Sequence, residues 1–578
     1  MSPVYSPVYS QMKKSKRTEA KPAPAVEETR WWLPPWWYWA IGLGALFLAF
    51  EAYGPSLHGQ FVLDDLYLPY TDVNAPTQTM LQWVHNQRPL LMFSYWVNYQ
   101  TGGSDPHVYH TTNVLLHYLL SAVVMLIAAR LLKWVEVSDP LRTALAVFSG
   151  ALFLLHPLQT ESVAYVASRS EVLSVFFYYA AFAVFVYSNR ESMSLLRALS
   201  IVVLFGAAAA SKEHTLTLPA LIVLTDVFWH RGGLRKNGAL YGLLALVCAA
   251  GGVVVWRILM ASDTAGFRTE GLTPVSYLFT QCRVIWIYIR MFFLPFGQNV
   301  DPDIPISAGV LDHGAIFGLI ALVAMTVAAW IYRKRFPLAS FGVFVFLLLI
   351  APTSSVVPIR DVLAERRLYL PFLGLILIVL EPLRRLQFPQ AVGICSAAIL
   401  ACTVLTYQRS DVWSSPLALW QDTVAKSPAK MRPRFHLAFA QYQAGDCATS
   451  ASNFEAASHL DTPDYRLLVD WANALDCAGR EDAAATVFER AIAAFPNSAE
   501  AYVGLSAVYG KQKKLDKALK VLDDAESIDP NIAQVYVNRG GVYEMLGNYN
   551  GAAQQYQLAL KLDPVNLGAR EGLRRVAR

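Results

Sequence analysis

Charged residues are scarce in this sequence. Asp, Glu, Lys and Arg make up 16% of its 578 residues, whereas globular proteins carry about 25%. The deficit falls in residues 36–408, a series of apolar segments of membrane length, while residues 409–578 have the mixed composition of a soluble helical domain. The composition excludes an ordinary soluble enzyme and predicts a polytopic membrane protein with a soluble C-terminal domain.

Several signatures of soluble enzymes are also missing. The sequence contains no Walker loop, no HExxH motif and no Ser-His-Asp arrangement. Its net charge of +5 comes mainly from short Lys/Arg clusters between apolar segments, not from a basic stretch interleaved with aromatic residues. These absences argue against an ATPase and a zinc protease, and no nucleic acid is expected as a partner.

Cysteine is infrequent, and its spacing does not indicate zinc binding. None of the six cysteines forms a CxxC pair. Cys447 and Cys477 lie in the soluble part, where a disulfide between them is a hypothesis and two free thiols are the alternative. The other four lie in or along apolar segments and are predicted to be packing residues: Cys248, Cys282, Cys395 and Cys402.

The apolar segments predict about eleven membrane-spanning helices. Lys/Arg clusters at 231–236, 333–335 and 384–385, together with a basic tail at residues 1–35, are assigned to the cytoplasm. The tail is predicted to be disordered. An odd number of spans places the C-terminal domain on the outer side. The predicted spans are 36–53, 109–132, 142–157, 171–188, 194–210, 214–229, 239–259, 314–332, 337–352, 367–381 and 388–407.

A repeat of 34 residues follows the last span. Ala484, Ala518 and Ala552 recur in phase, and so do three further columns of residues. This spacing is typical of tetratricopeptide repeats, in which two helices per unit form a binding surface. After a linker at 409–430, residues 431–578 are predicted to form an α-solenoid of four repeats with a polar capping helix. The units are 431–464, 465–498, 499–532 and 533–566.

Charged and polar residues gather at the predicted outer ends of the spans. Asp64 and Asp65 follow the first span directly. Isolated charges at this depth are disfavoured by about 2–4 kcal/mol each, so pairing or a bound anion is needed to offset them. The other members of this outer cluster are Arg88, His156, Glu161, Arg169, Lys212, Glu213, Glu365, Arg366, Arg367 and Tyr369.

The outer cluster suits the transfer of a sugar from a lipid phosphate. Nucleotide sugars are expected only in the cytoplasm, so an outer transferase needs a lipid-tethered donor. Asp64 or Asp65 is predicted to deprotonate the acceptor hydroxyl. The cations Arg88, Arg169, Lys212, Arg366 and Arg367 are predicted to bind the donor phosphate. Supporting roles are expected for His156, Glu161, Glu213, Glu365 and Tyr369.

Each of these residues also has a purely structural interpretation. The acidic pair can be part of a solvated loop, and Lys212 with Glu213 can form an ion pair that locks two helix ends. His156 can simply end a span before Pro157. The sequence alone does not choose between Asp64 and Asp65 as the base.

Taken in order, the motifs resemble those of a known family. With the C-terminal repeats, they are similar to the transmembrane and tetratricopeptide-repeat O-mannosyltransferases and their bacterial relatives, which have the glycosyltransferase C superfold. The resemblance covers nearly the whole chain after residue 36 and rests on the ordered set: Phe61-Val62-Leu63-Asp64-Asp65, Arg88-Pro89-Leu90, His110 with Asn113 and His117, His156-Pro157 to Glu161, Arg169, Lys212-Glu213, Glu365-Arg366 and Tyr369-Leu370-Pro371.

The resemblance implies a polyprenyl- or dolichyl-phosphate sugar donor, an inverting transfer and a Ser/Thr hydroxyl of an exported protein as acceptor. It implies that Asp64 and Asp65 are catalytic and that the Lys212 and Arg366 regions bind the donor phosphate. Gln159 stands where relatives tend to have a second His, so the resemblance supports no His-based role there. The sugar is left open, with mannose as one candidate.

The short tail and the four repeats suggest a bacterial form. We therefore expect a multi-pass protein of the inner membrane, with a cytoplasmic N-terminus, a periplasmic repeat domain and membrane lipids around the spans. The expected partners are the lipid-linked donor and an acceptor protein bound by the repeats. No cofactor is indicated, and a divalent cation is left open without support from any residue pattern.

Two other functions remain as alternatives. A transferase of the same superfold can modify a glycolipid or polysaccharide, but such an acceptor does not need a repeat domain. A non-enzymatic, membrane-anchored repeat scaffold is the second alternative. It needs only one or two spans and no outer cluster of charges.

Overall fold

The computed structural model describes residues 35–188, 193–229 and 237–577, and the regular secondary-structure elements in these residues are all helices. These residues contain no β-strand, only one isolated bridge between Ala265 and Ile359. The predicted all-α class is confirmed. The expected tail, apart from its last residue, and the cluster at 231–236 lie outside the described residues.

Each predicted span corresponds to a helix. Long apolar runs fold as helices because a segment in lipid must satisfy its backbone hydrogen bonds internally. These helices are Pro35–Tyr53, Pro106–Trp134, Leu141–Leu155, Arg169–Tyr187, Leu195–Ala209, Leu218–Trp229, Gly238–Ala261, Ala315–Ile331, Pro337–Ile350, Phe372–Leu383 and Phe388–Val412.

The number of membrane crossings stays a prediction. Six helices among the described residues are long and apolar enough to cross a membrane, or seven if a pair bent by 46°, Leu141–Leu155 with Pro157–Ala164, counts as one. Leu195–Ala209, Pro337–Ile350 and Phe372–Leu383 are apolar but have only 15, 14 and 12 residues. At about 1.5 Å per residue they are shorter than a hydrocarbon core of about 30 Å.

Close helix packing holds the bundle together. Helices Pro337–Ile350 and Phe372–Leu383 approach so closely that a Cβ atom on Gly342 would lie 2.5 Å from the carbonyl oxygen of Gly374. Tyr179 and Phe182, from helix Arg169–Tyr187, are fully buried in the same core. The bundle therefore gives the outer turns a rigid base.

Irregular turns connect the helix ends that the sequence predicted to face outward, and segment 54–102 is called the first outer loop after that prediction. The first outer loop contains the 3-10 helices Gly54–His58, Leu63–Tyr67, Pro69–Thr71 and Ala75–Thr77, then the α-helices Met80–Val84 and Pro89–Gly102. The short helices Pro157–Gln159, Thr160–Ala164, Val166–Ser168, Glu213–Thr217 and Glu365–Leu368 lie at other ends. One-turn helices expose backbone and side-chain groups that a long helix would keep internal, and they carry most of the predicted site residues.

The C-terminal part is a helical repeat array with two helices in each predicted unit. The in-phase alanines Ala484, Ala518 and Ala552 are fully buried where the two helices of a unit cross. The helix pairs are Met431–Gln443 and Cys447–Ser458, Tyr465–Cys477 and Glu481–Ala494, Ala499–Lys511 and Leu515–Ile528, and Ala533–Met545 and Tyr549–Leu562, followed by Leu567–Val576.

Glycines on one helix of the array receive aromatic rings from another. A Cβ atom on Gly504 would lie 2.3 Å from Cζ of Phe488, and one on Gly540 would lie 2.7 Å from Cε1 of Tyr556. Phe488 and Tyr556 belong to the repeating column that the sequence pattern identified. The Phe488–Gly504 contact joins the second unit to the third, and the Tyr556–Gly540 contact packs the two helices of the fourth unit together, as expected for a solenoid.

A disulfide links the first two repeats. Cys447, at the start of helix Cys447–Ser458, is bonded to Cys477, at the end of helix Tyr465–Cys477, with a Cα–Cα distance of 5.7 Å. This separation is within the normal range for a disulfide. The bond closes a loop of 30 residues in sequence and so restricts the unfolded chain.

The repeat array is attached to the bundle by ion pairs as well as by the chain. Asp301, which is 3% exposed, pairs with Lys430 and with Nε of Arg432, the latter at 2.6 Å. Nη2 of Arg432 also lies 2.9 Å from Asp361. The predicted linker, 409–430, contains a helix, Pro416–Lys426. The array is therefore held against the outer loops of the bundle.

Candidate active site

The two adjacent aspartates of the first outer loop have different environments. Asp65 is fully buried, and its carboxylate accepts hydrogen bonds from the backbone N–H groups of Ala167 at 2.7 Å and Val62 at 3.1 Å. The hydroxyl group of Tyr70 also donates to it, at 3.5 Å. Asp65 therefore ties the first outer loop to the turn at Val166–Ser168.

Asp64 is exposed and points into a cavity. Its backbone N–H donates to the hydroxyl oxygen of Tyr165 at 2.9 Å, which fixes the backbone while leaving the carboxylate free to act. The two aspartates share one 3-10 turn, Leu63–Tyr67, where neighbouring side chains point about 120° apart. One aspartate therefore anchors the turn and the other faces the cavity.

The cavity has a volume of about 390 Å³ and brings Asp64 together with three predicted phosphate-binding cations. This volume lies within the range of about 300–1,000 Å³ that is usual for ligand pockets. Its polar lining residues are Asp64, Asn86, Gln87, Arg88, Tyr95, Tyr165, Ser168, Ser170, Lys212 and Arg366. We call it the cation-lined cavity.

Each cation in this cavity is positioned by a glutamate. Nε and Nη2 of Arg88 each lie 2.9 Å from a carboxylate oxygen of Glu213. Nζ of Lys212 donates to Glu171 at 2.5 Å. These pairs hold the long side chains in fixed positions, which lowers the entropy lost when a ligand binds.

Arg366 is held by Glu161, whose side chain is 1% exposed. In the described structure, the Arg366 side chain donates to this carboxylate through Nη1, and its backbone N–H donates to the same group at 3.1 Å. The guanidinium keeps further N–H groups for a ligand, since it carries five donors in a planar fork.

Burial and ion pairing shift the pKa values at this site in opposite ways. Burial lowers the pKa of the Lys212 ammonium below its usual range, although the Glu171 carboxylate counteracts this. Burial acts to raise the pKa of Glu213, but the neighbouring Arg88 guanidinium reverses the effect and holds that pKa below its usual range. The glutamate partners therefore favour the charged form of the cations, which an anionic ligand needs.

Two of the five predicted cations do not line this cavity. Arg169 is fully buried; its Nε donates to Asn113 at 2.7 Å and its Nη2 to the carbonyl of Tyr109 at 2.9 Å. Nη1 of Arg367 donates to the Val362 carbonyl at 3.2 Å. Both guanidinium groups thus satisfy backbone carbonyls inside the outer layer, a structural role that sequence alone did not separate from ligand binding.

None of the five predicted supporting residues lines the cavity. Glu161 and Glu213 hold two of its cations, and the other three have different partners. His156 lies 3.0 Å from the Phe292 carbonyl through Nε2 and stacks on the Phe292 ring. The hydroxyl of Tyr369 lies 2.7 Å from Nδ1 of His117 inside the bundle. Glu365 is buried and accepts the backbone N–H of Asn299 at 2.6 Å, and burial raises its pKa.

Some lining residues were not singled out from the sequence. Tyr165 holds the backbone of Asp64, and Asn86 and Gln87 line the cavity immediately before Arg88. The sequence signal that could have identified Asn86 and Gln87 as lining residues is their position directly before the motif residue Arg88. Nothing in the local sequence distinguishes Tyr165 from the many other tyrosines of an aromatic-rich chain.

No metal site is found in the described part of the chain. Among residues 35–188, 193–229 and 237–577, no group of three or more His, Cys, Asp or Glu side chains is arranged to hold an ion. The cations that line the cavity are Arg88, Lys212 and Arg366.

The buried Asp65 predicts a particular pH dependence of stability. Burial raises its pKa to about 7, against the effect of its backbone donors, whereas an aspartate in an unfolded chain titrates near about 3.9. Between these values the folded state binds more protons, so the contribution of Asp65 to stability falls as the pH rises, by up to about 4 kcal/mol in total.

We expect the midpoint temperature of thermal unfolding of the wild type, minus that of Asp65→Asn, to decrease as the pH rises from about 5 to about 8. The neutral Asn side chain cannot titrate, so the difference between the two proteins isolates Asp65. A difference that stays constant over this range would contradict the assigned burial of this carboxyl group.

Sequence comparisons place relatives of this chain among protein O-mannosyl-transferases. "Protein O-mannosyl-transferase F38B6.6" of Caenorhabditis elegans is 25% identical over 395 residues, which are 65% of this chain and 54% of the relative. "Protein O-mannosyl-transferase TMTC4" of Homo sapiens is 23% identical over 481 residues, 70% of this chain and 64% of the relative. This chain therefore spans about half to two thirds of the length of these relatives.

A shorter match is more similar. "Protein O-mannosyl-transferase Tmtc1" of Drosophila melanogaster is 33% identical over 202 residues, which cover 32% of this chain and 22% of the relative. All three relatives carry the same description, and the two longer matches extend over about two thirds of this chain.

The C-terminal array matches known repeat families. Models of the tetratricopeptide repeat match residues 435–499, 478–536 and 533–564. Among solved structures, YrrB, a TPR protein with an unusual peptide-binding site, is 18% identical and covers 27% of this chain and 81% of its own, with a TM-score of 0.25. The chain is similar, at low identity and over about two thirds of its length, to proteins described as protein O-mannosyl-transferases, and its C-terminal part matches tetratricopeptide-repeat models, as the order of its motifs had indicated.

Proposed function

We propose that this protein transfers a sugar from a polyprenyl-phosphate donor to Ser or Thr hydroxyl groups of exported proteins, with inversion at the anomeric carbon. One observation carries this proposal. Asp64 and three cations from distant parts of the chain, Arg88, Lys212 and Arg366, line one cavity. A general base beside a phosphate-binding group is what this transfer requires.

Asp64 acts as the base. Its carboxylate takes the proton of the acceptor hydroxyl as the oxygen attacks the anomeric carbon, and the bond between that carbon and the phosphate oxygen breaks. The phosphate leaves as an anion with the bonding electron pair. It needs no proton at that moment, so one carboxylate is sufficient for the reaction.

The three cations stabilise the leaving group. Negative charge grows on the phosphate oxygens as the bond breaks, and positive groups that are already in position stabilise this charge without further reorganisation. Arg88 and Arg366 offer planar N–H donors to phosphate oxygens, whereas Lys212 acts as a compact charge. Their glutamate partners keep them in place while the cavity is empty.

Asp65 is a positioning residue in this mechanism. Its hydrogen bonds to the backbone of Val62 and Ala167 fix the turn from which Asp64 projects. Small displacements of a catalytic base reduce the rate strongly, because the reacting atoms must be aligned. Asp65 therefore acts through the position of Asp64 and not by direct contact with the sugar.

The site belongs on the outer side of a bacterial inner membrane in this proposal, with the N-terminus in the cytoplasm and the repeats in the periplasm. Lipid-linked sugars are the activated donors on that side, whereas nucleotide sugars remain in the cytoplasm. The disulfide between Cys447 and Cys477 is compatible with an oxidising compartment. The names of the relatives, protein O-mannosyl-transferases, favour mannose as the sugar.

The acceptor is a protein. A tetratricopeptide array presents an extended surface for peptides and proteins, and this array is fixed beside the proposed base by Asp301 and Arg432. A glycolipid acceptor does not require a peptide-binding repeat array beside the proposed base.

The direct test is transfer by the purified full-length protein in lipid nanodiscs. We expect radiolabelled mannose to pass from polyprenyl-phosphate mannose to a mixture of Ser/Thr peptides derived from exported proteins, with GDP-mannose giving no product. Incorporation into added glycolipid instead of peptide would contradict the protein acceptor. Equal use of GDP-mannose would contradict the lipid-linked donor.

A further inference from the structure

A second cavity shares Asp64, and no other described lining residue, with the cation-lined cavity. It has a volume of about 480 Å³, and Asp64 lines both this cavity and the cation-lined cavity. Leu68 and the cations Arg88, Lys212 and Arg366 line only the first. The carboxylate proposed as the base therefore stands at the junction of two spaces.

The walls of this second cavity come from both parts of the protein. One wall is the first outer loop, from Gln60 to Tyr67, and the other contains Trp420 and helix Met431–Gln443 of the first repeat. The hydroxyl of Tyr67 accepts a hydrogen bond from Nη1 of Arg466 at 3.0 Å, so the loop also touches the second repeat. We call this space the loop–repeat cavity.

The loop–repeat cavity has little charge available for an anion. Among the lining residues that the structure describes, Arg432 is the only Lys or Arg. It is already paired with Asp301 and Asp361. His436 stacks on Trp420, and burial lowers its pKa to about 4, so it is neutral at physiological pH. Asp64 supplies the carboxylate, which repels a phosphate.

The remaining lining suits an extended peptide. Aromatic and aliphatic side chains, among them Phe61, Leu66 and Phe439, offer apolar contacts, while the exposed amides of Gln60 and Gln443 can pair with a peptide backbone. Amide side chains carry both donors and acceptors, as does each peptide unit. A neutral, partly apolar ligand with backbone amides is therefore complementary to these walls.

We propose that the loop–repeat cavity is the acceptor subsite, which holds an extended Ser/Thr-bearing segment of the acceptor protein between the first outer loop and the first repeat. This inference rests on the proposed function and adds the place and chemistry of acceptor recognition. The hydroxyl group of the bound segment lies next to Asp64, and the sugar phosphate occupies the cation-lined cavity.

The arrangement of the two cavities fits an inverting displacement. In such a reaction the attacking oxygen and the leaving oxygen lie on opposite sides of the anomeric carbon. A base at the junction can take the proton from an acceptor on one side while the phosphate leaves on the other. Ion pairs of Asp301 with Lys430 and Arg432 hold the start of the first repeat against the bundle. A subsite with one wall on that repeat requires such a fixed position.

Gln443→Trp tests this subsite, because the larger side chain narrows the loop–repeat cavity from an exposed position at the end of its helix. Gln557→Trp is the matched control, an equally exposed glutamine on the last repeat that does not line the cavity. We expect Gln443→Trp to raise the KM for a Ser/Thr peptide by about tenfold or more. Gln557→Trp is expected to keep the wild-type KM.

A photo-crosslinking residue at position 443 or 557 gives a readout that does not depend on turnover. We expect a Ser/Thr peptide to crosslink at 443 and not at 557, and excess unlabelled peptide to compete. Transfer by Gln443→Trp at wild-type KM, together with no crosslink at 443, would overturn the acceptor subsite and leave the proposed function standing. A specific crosslink at 443, together with no sugar transfer by the wild-type protein, would overturn the proposed function and leave peptide binding at this site.

Discussion

Asp64→Asn is expected to reduce the rate of sugar transfer by about 10²- to 10⁴-fold, the range that general-base catalysis contributes. Asn has nearly the same size and keeps the exposed position of Asp64, but it cannot accept the proton of the acceptor hydroxyl. Folding and donor binding should remain, because the exposed Asp64 side chain makes no hydrogen bond or ion pair with the described residues. Single-turnover transfer and the binding of labelled donor measure the two effects separately.

Asp72→Asn provides the matched control for this substitution. Asp72 is an exposed aspartate of the same outer loop and does not line the cation-lined cavity, so transfer should continue at the wild-type rate. Asp65→Asn is expected to reduce transfer together with stability, since Asn presents an N–H group to backbone donors at Val62 or Ala167. Full activity of Asp64→Asn would remove Asp64 as the base.

Arg366→Gln is expected to have the second largest effect. Loss of one preorganised charge beside a developing anion reduces kcat by about 10²- to 10³-fold. The affinity for the donor should fall as well, because the same guanidinium contacts the phosphate before transfer. Initial rates at varied donor concentration, with polyprenyl-phosphate mannose as the donor, separate kcat from KM.

Two companion variants make the Arg366 result interpretable. Arg366→Gln leaves Glu161 buried without its cation, so the double variant Arg366→Gln/Glu161→Gln tests whether this unpaired charge causes the defect. We expect the double variant to recover stability but not transfer. Arg360→Gln, an exposed arginine nearby in sequence that does not line the cavity, should behave as the wild type. Recovery of transfer in the double variant would reduce Arg366 to a structural role.

Much of the fold follows from local patterns in the sequence. An apolar run such as 109–132 folds as a helix in lipid, because its backbone groups find hydrogen-bond partners only within the run. The repeats could also be predicted from the sequence, because Ala484, Ala518 and Ala552 recur every 34 residues at buried positions between helices. The number of membrane crossings is harder to predict, because helices such as Phe372–Leu383 are apolar but short.

The site could be predicted only in part. Order along the chain and proximity to helix ends identified Arg88, Lys212 and Arg366, which the structure brings to one cavity. The choice between Asp64 and Asp65 depends on which side of a one-turn helix is covered by the turn at Val166–Ser168. That contact joins residues about a hundred positions apart, and no local pattern encodes it.

Arginine was the least predictable residue type. Arg169 and Arg366 both occur at outer helix ends, yet one is fully buried with carbonyl and amide partners and the other lines the cavity. A guanidinium group suits backbone carbonyls as well as phosphates, so residue type cannot separate the two roles. The contact between the bundle and the first repeat was also not predicted, because Asp301 and Arg432 are 131 residues apart.

The most direct test is a cryo-electron microscopy structure of the full chain with a non-cleavable phosphonate analogue of the polyprenyl-phosphate sugar. The account predicts that the phosphonate contacts Arg88, Lys212 and Arg366 and that the anomeric carbon faces Asp64 at the junction of the two cavities. A phosphonate bound away from these three cations, or a sugar directed away from Asp64, would contradict it.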